Sequence, residues 1–220
     1  MGNTIWTFES LAQADRATLE NVLFNSSAPD PEQLAGYVYD GYNHDWLGQL
    51  PGKKFRKAFL MQVARRHALG TLSVERSQIV APPALVSHRV RRLASDDARD
   101  QHYGLNQIVE QDGKDFTGEW HTQRKNGRPV ELGFFKILAA SESASNRQVA
   151  RYHRLMCFDY NIDLNPRGNL MMRAIRDYVG LPNAGDYELV LGKAYLQVIP
   201  FLYLFASYFV LGHRRPYERS

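Results

Sequence analysis

The chain has 220 residues, with Lys plus Arg at 27, Asp plus Glu at 23 and a formal net charge of +4. An apolar content of 44% with 23% charged residues excludes global disorder, and a chain of this length hides roughly 70% of its unfolded surface, enough for a sizeable core. The single cysteine, Cys157, excludes an intrachain disulfide and an all-cysteine metal cage. The opening MGNTIWTFES has neither a basic n-region nor an apolar h-region, which predicts a cytoplasmic protein, read as one domain over 1–220.

Residues 7–24 predict a helix, because Leu11, Ala14, Thr18, Leu19, Val22 and Leu23 fall on helical spacing and Thr7 or Ser10 can cap the start. Ser26 to Pro31 is a turn-rich break that completes an N-terminal unit over 1–31. Tyr37 to His44 predicts a tyrosine-rich strand, with Gly41 at a bulge or close approach. Residues 53–63 suit a strand or a short helix. The strand is preferred, and it places Phe55, Lys57, Phe59 and Met61 on one face. Residues 64–103, with Pro82-Pro83, lack periodicity and predict an irregular excursion or lid.

Strand signals return at 105–110, 119–123, 130–139, 150–161, 187–198 and 202–211. Asn126-Gly127 predicts a tight hairpin turn, since a type I′ turn needs positive φ at both central residues. A helix is predicted over 166–179, with Asn165 as cap and Pro166 at the first position. About eight antiparallel strands without βαβ alternation predict a mainly β barrel with an N-terminal helix and one further helix. An eight-stranded barrel leaves room for one small ligand.

Ala194 to Gly212 carries no formal charge over 19 residues and is followed by His213-Arg214-Arg215. Its length fits a membrane span. Pro200 and the wealth of aromatic and β-branched residues favour instead two strands joined at Pro200-Phe201.

The segment Leu34-Ala35-Gly36-Tyr37-Val38-Tyr39-Asp40-Gly41 resembles the G-x-W-x-G opening of small barrel-like bacterial proteins and the G-x-W strand of lipocalins. Val38 stands in the tryptophan's place, and the second glycine comes one residue late. Gly52-Lys53-Lys54-Phe55 resembles the G-K-x-F that follows in those proteins. The resemblance covers the first quarter of the chain. It implies a lipocalin-like, calycin-like barrel with an apolar pocket and transfers no catalytic residue.

Several residues are candidates for chemistry. Glu119 and His121, two apart on a predicted strand, share a face and suit acid–base work; the alternative is a polar face beside the Asn-Gly turn. His153 and Asp159 share a parity with Arg151 on the predicted strand 150–161, opposite the more apolar Tyr152, Met156 and Phe158. If that face looks inward, these charges need partners or a ligand; if the apolar face is the core, they are wet. Tyr37, Tyr39 and Tyr42 crowd the first strand and suit an aromatic ligand or a core. Trp120 and Tyr195 join them as candidate ligand contacts. Lys193 interrupts an alternating run, as a pocket cation or Schiff-base amine, or as a snorkelling surface lysine. Lys53, Lys54, Arg56 and Lys57 form a basic cluster suited to phosphate or a membrane surface. Phosphate-loop, dinucleotide, zincin and hydrolase signatures are absent from the sequence.

The leading expectation is a cofactor-free isomerase, cyclase or lyase acting on a hydrophobic small molecule inside the barrel. His153 or His121 would be the acid–base group, Asp159 or Glu119 its orienter, and Tyr39 a hydrogen-bond donor. No metal and no nucleic acid is expected. The alternatives are a carrier of a lipid, pigment or haem, with His153 as axial ligand, and a C-terminally membrane-anchored interaction protein. A homo-oligomer is compatible with the aromatic final strands.

Overall fold

A computed structural model describes residues 5–45, 52–60, 101–143 and 147–217. The N-terminal region holds α1 (Phe8–Ala12), α2 (Arg16–Asn25) and α3 (Pro31–Leu34). The helix predicted over 7–24 is therefore two helices, because Asp15 caps a new one: its Oδ1 accepts from the Thr18 amide at 2.7 Å. Thr7 and Ser10 form a reciprocal capping box at the start of α1.

The strands are β1 (Tyr37–Asn43), β2 (Lys54–Leu60), β3 (His102–Ile108), β4 (Arg124–Lys125), β5 (Arg128–Pro129), β6 (Glu131–Ala139), β7 (Met156–Asp159), β8 (Ile175–Gly180), β9 (Val190–Ile199) and β10 (Leu202–Pro216). Eight of them close into an antiparallel barrel in the order β1-β10-β9-β8-β7-β6-β3-β2. Each strand pairs with its neighbour in the chain, with the β4–β5 hairpin inserted between β3 and β6, and β1 seals against β10. A closed sheet leaves no edge to protect. The barrel of eight strands predicted from the alternation is present.

Strand alternation sorts the residues into an inner and an outer layer. Inside lie Tyr39, Phe55, Phe59, Phe135, Ile137, Met156, Phe158, Val179, Val190, Phe209 and Leu211, which form one apolar cluster. Outside, α1 rests on β10 and α2 on β9. Phe8, Leu11, Leu19, Val22 and Leu23 of these helices pack with Tyr195, Tyr208 and Val210 of the outer wall. Three inward glycines let rings lie flat against the wall: Gly41 under Phe55, Gly104 under Phe135 and Gly192 under Phe209. A Cβ at any of them would run into the ring.

Asn126 and Gly127 adopt φ of 54° and 76°, as the hairpin turn requires. The uncharged stretch 194–212 is the β9–β10 hairpin, turning at Pro200-Phe201. Among the described residues no helix is long and apolar enough to cross a membrane.

Three further expectations change. Residues 119–123 are a loop tied by the single bridge Val109↔Thr122, because this segment packs across the outside of β1 and β2 through Trp120. The predicted strand 150–161 shrinks to β7, as Arg147–Ala150 is helical and a turn follows through Leu155. The predicted helix 166–179 retains one turn, Leu170–Arg173, and then becomes β8. There Ile175, Asp177 and Val179 face inward, and pairing to both β7 and β9 outweighs local helix preference. The excursion at 64–103 lies outside the described residues up to 100; His102 and Tyr103 already belong to β3.

Candidate functional site

The middle of the barrel is polar where alternation demands an inward side chain and the sequence supplies Lys57. Lys57 lies between Phe55 and Phe59 on β2 and is 1% exposed. Its Nζ donates to Tyr160 OH at 2.6 Å and to Asp177 Oδ2 at 3.0 Å. Tyr160 OH donates to the same Asp177 oxygen at 3.1 Å and accepts from Asn106 Nδ2 at 3.0 Å. Five rings surround the ammonium: Phe135 at 4.7 Å from the ring centre, Phe209 at 5.2 Å, Phe158 and Tyr160 at 5.3 Å and Phe55 at 5.7 Å. Ring faces carry negative electrostatic potential, so the box partly replaces the water a buried cation loses.

The electrostatics follow from this burial. Desolvation pushes the Lys57 ammonium below its usual range, against the pull of Asp177. Burial, reinforced by Asp177, holds the Tyr160 phenol well above its usual range. Burial thus weakens the hold of the ammonium on its proton and strengthens that of the phenol. The Oδ1 of Asn106 is buried and accepts no hydrogen bond. A buried acceptor without a donor costs about 1–3 kcal/mol unless something supplies one.

A recess of about 570 Å³ opens at the barrel end formed by the start of β3 and β7 and the end of β6. His102, Ile137 and Met156 form part of its lining, and Glu142, His153 and Arg154 stand among its polar groups. Ile137 and Met156 belong to the same apolar cluster as the rings around Lys57. The volume lies within the range of small-molecule sites.

The residues singled out in the sequence are scattered. His121 and Glu119 pair with each other at 2.8 Å on an exposed loop, so their expected proximity holds without a strand. His153 is in the turn before β7, exposed, with Nδ1 2.9 Å from the Ala150 carbonyl. It therefore shares no strand face with Asp159, which points outward and pairs with Arg176 at 3.0 Å. The inward parity of β7 is that of Met156 and Phe158. Tyr39 is inside the barrel, but its hydroxyl donates to the Tyr187 carbonyl at 2.8 Å, and burial holds its phenol above the usual range. Tyr37 lies under the Arg214 guanidinium, 3.6 Å from the ring centre. Tyr42 faces outward against His44 and Phe116.

Trp120 packs on the outer wall, where Nε1 donates to the Gly41 carbonyl at 3.0 Å and Lys54 Nζ lies 4.6 Å from its ring centre. Lys193, Tyr195 and Arg151 are also outside the barrel. Lys193 donates to Glu20 of α2 at 2.7 Å and to Tyr152 OH at 2.9 Å, and Arg151 pairs with Glu20 at 3.0 Å. Tyr208 OH donates to Glu20 as well. Lys193 is neither a pocket cation nor a surface lysine: it clasps α2 to the wall. The basic cluster of β2 is dispersed in the same way. Lys53 pairs with Asp115 and Lys54 with Asp112, Arg56 bonds Asp40, and Lys57 turns inward.

Sequence reasoning missed Lys57, Asp177, Tyr160 and Asn106 as one group. A signal existed for Lys57, because the strand reading of 53–63 set it on one face with two phenylalanines. Asp177 was hidden by the helix predicted across it. No groups of three or more metal-ligating side chains occur among the described residues. No family model, curated protein or solved structure matches this chain, so its assignment rests on architecture: a closed, eight-stranded antiparallel barrel, compatible with the lipocalin-like form.

Proposed function

We propose that this barrel takes up a hydrophobic small molecule bearing a carbonyl or hydroxyl group and moves a proton on it without a cofactor. The observation that carries the reading is the sealed polar group of Lys57, Asp177, Tyr160 and Asn106, set among aromatic rings and containing an acceptor that lacks a donor. Catalytic bases and acids are found where burial moves proton affinities away from their usual values. In this reading Tyr160 donates a hydrogen bond to the substrate carbonyl. The neutral Lys57 amine takes a proton from the adjacent carbon and returns it to another position, so an isomerisation balances with no redox change. Asp177 steadies the ammonium while it exists, and Asn106 Oδ1 accepts from a substrate hydroxyl or enol. The roles expected of His153, His121, Glu119 and Asp159 pass to this group. The recess gives His153 a place at the rim, where it would touch a ligand's polar end.

A second reading, the non-catalytic carrier, is favoured by the rings of Phe55, Phe135 and Phe209, which lie flat on their glycines and occupy the barrel beside Lys57. The test uses 2-tetralone as probe. Its α-hydrogen exchange in D2O is followed by NMR with the wild type and with the double variant Lys57→Met/Asp177→Leu, which removes both charges together. Faster exchange with the wild type alone supports the enzyme. Binding of the probe with equal exchange by both proteins supports the carrier. Native mass spectrometry and an absorbance scan of the freshly purified protein read out a retained lipid, pigment or haem.

A further inference from the structure

The β9–β10 hairpin is longer than the wall it belongs to. β9 has 10 residues and β10 has 15, against 4 in β7 and 6 in β8. The hairpin therefore overhangs the barrel at the end where Ile175 begins β8, beyond the Ile175↔Leu196 pair. Past that point, among the described residues, no opposite strand pairs across the face that is inward within the barrel. Apolar side chains nevertheless continue on both faces of the hairpin end, with Val198, Ile199, Leu202 and Leu204 all exposed and Phe201 73% exposed at the turn. Leu170 and Met171 stand exposed on the one-turn helix beside them, which is tied to the hairpin by the Gln197 amide donating to the Ala174 carbonyl at 2.8 Å. Seven of the nine exposed large apolar side chains among the described residues sit in this one patch. A concentration of that kind marks a contact surface.

The surroundings of the patch are basic. Arg167 is exposed three residues before Leu170. Arg147 is exposed on the short helix whose Gln148 side chain accepts from the Tyr203 amide at 3.1 Å. The Arg16 guanidinium, which is paired with Asp45, lies 5.3 Å from the centre of the Phe205 ring. Asp163, before the one-turn helix, pairs with Arg173 at 3.6 Å. No charged residue occurs from Ala194 to Gly212.

We infer that the β9–β10 tip docks on the surface of a bilayer containing anionic lipid. An exposed apolar tip with an aromatic residue at its turn, flanked by the exposed Arg147 and Arg167, matches the two layers of that surface: hydrocarbon below and negative headgroups above. A protein partner would more readily meet a groove or a flat face.

The experiment is flotation of the purified protein with vesicles of phosphatidylcholine alone or mixed with phosphatidylglycerol. The wild type should float with the mixed vesicles and far less with phosphatidylcholine alone. Val198→Asp/Leu204→Asp should abolish flotation. Arg147→Gln/Arg167→Gln, which leaves the hairpin intact, should weaken it by roughly fivefold for each arginine removed. No flotation of the wild type overturns the proposal, as does equal flotation of the aspartate variant. A wild-type dimer by light scattering that the aspartate pair converts to a non-floating monomer, while the arginine pair floats like the wild type, makes the tip an interface between copies and also overturns it.

Discussion

Two lysines on this barrel are buried among aromatic rings, and their surroundings differ in how far each is cut off from solvent. Lys57 and Lys193 each meet one carboxylate and at least one tyrosine hydroxyl, and each lies over several rings. The carboxylate of Lys57 is on β8, a strand of the same closed wall, so neither partner can leave without opening the barrel. The carboxylate of Lys193 is on α2, an added helix, and the Glu20 side chain keeps 21% of its surface in solvent. Burial works to raise the Glu20 carboxyl, but the hydrogen bonds from Lys193, Tyr152 and Tyr208 hold it below its usual range. At Lys57 desolvation wins instead, and the ammonium is pushed down. The same residue types thus make an ion pair at a half-wet seam and another in a dry interior, where burial opposes the charged lysine.

The largest expected effect breaks the Lys57 side of this comparison. Lys57→Met alone should cost about 3–5 kcal/mol in a urea titration, because it leaves the Asp177 carboxylate buried without its partner. Lys57→Met/Asp177→Leu should recover most of that loss. If the single variant is as stable as wild type, the buried pair is not ionised. A pH series sharpens the point. A lysine whose folded value lies below the unfolded 10.5 binds fewer protons folded than unfolded in the window between the two. Wild-type stability relative to the double variant should therefore rise with pH through that alkaline window and level off above it.

A smaller effect breaks the Lys193 side. Glu20→Gln removes the charge that draws three donors and should cost about 2 kcal/mol. In the wild type, the contribution of Glu20 is complete above the unfolded value of 4.5 and is lost as pH falls through its lower folded value. Hydrogen exchange should show α2 loosening in acid while the strands stay protected, and uniform exchange would refute the separate clasp.

The smallest change sits between the two lysines. Gly192→Ala, next to Lys193 in sequence, places a methyl against the Phe209 ring that boxes Lys57. Its expected cost is about 1–3 kcal/mol. The tyrosine fluorescence of the Lys193 seam should remain unchanged, because that seam lies on the other face of the same strand.

Much of this was legible in the chain itself. Alternation and turn chemistry located most of the strands, Asn126-Gly127 set a hairpin, and Pro200 with β-branched neighbours divided an uncharged stretch that had the length of a membrane span. These signals are local, since each depends on residues a few positions apart. Thr7, Ser10 and Asn126 do their work with immediate neighbours, and the structure returns them as read.

What the tertiary structure decided was sidedness and partnership. Spacing leaves open whether the face of His153 and Asp159 or that of Met156 and Phe158 looks inward; closure of the barrel gives the inward parity of β7 to Met156 and Phe158. Residues 175–180 became a strand because β7 and β9 each needed a neighbour. Lys57 meets Tyr160 and Asp177 across 103 and 120 residues of chain, and Lys193 meets Glu20 across 173. Short-range patterns say that a side chain lies on a face; only the closed sheet says which face is dry and what stands opposite. That distinction places Lys57 in the dry interior beside Asp177 and makes Lys193 a clasp for α2.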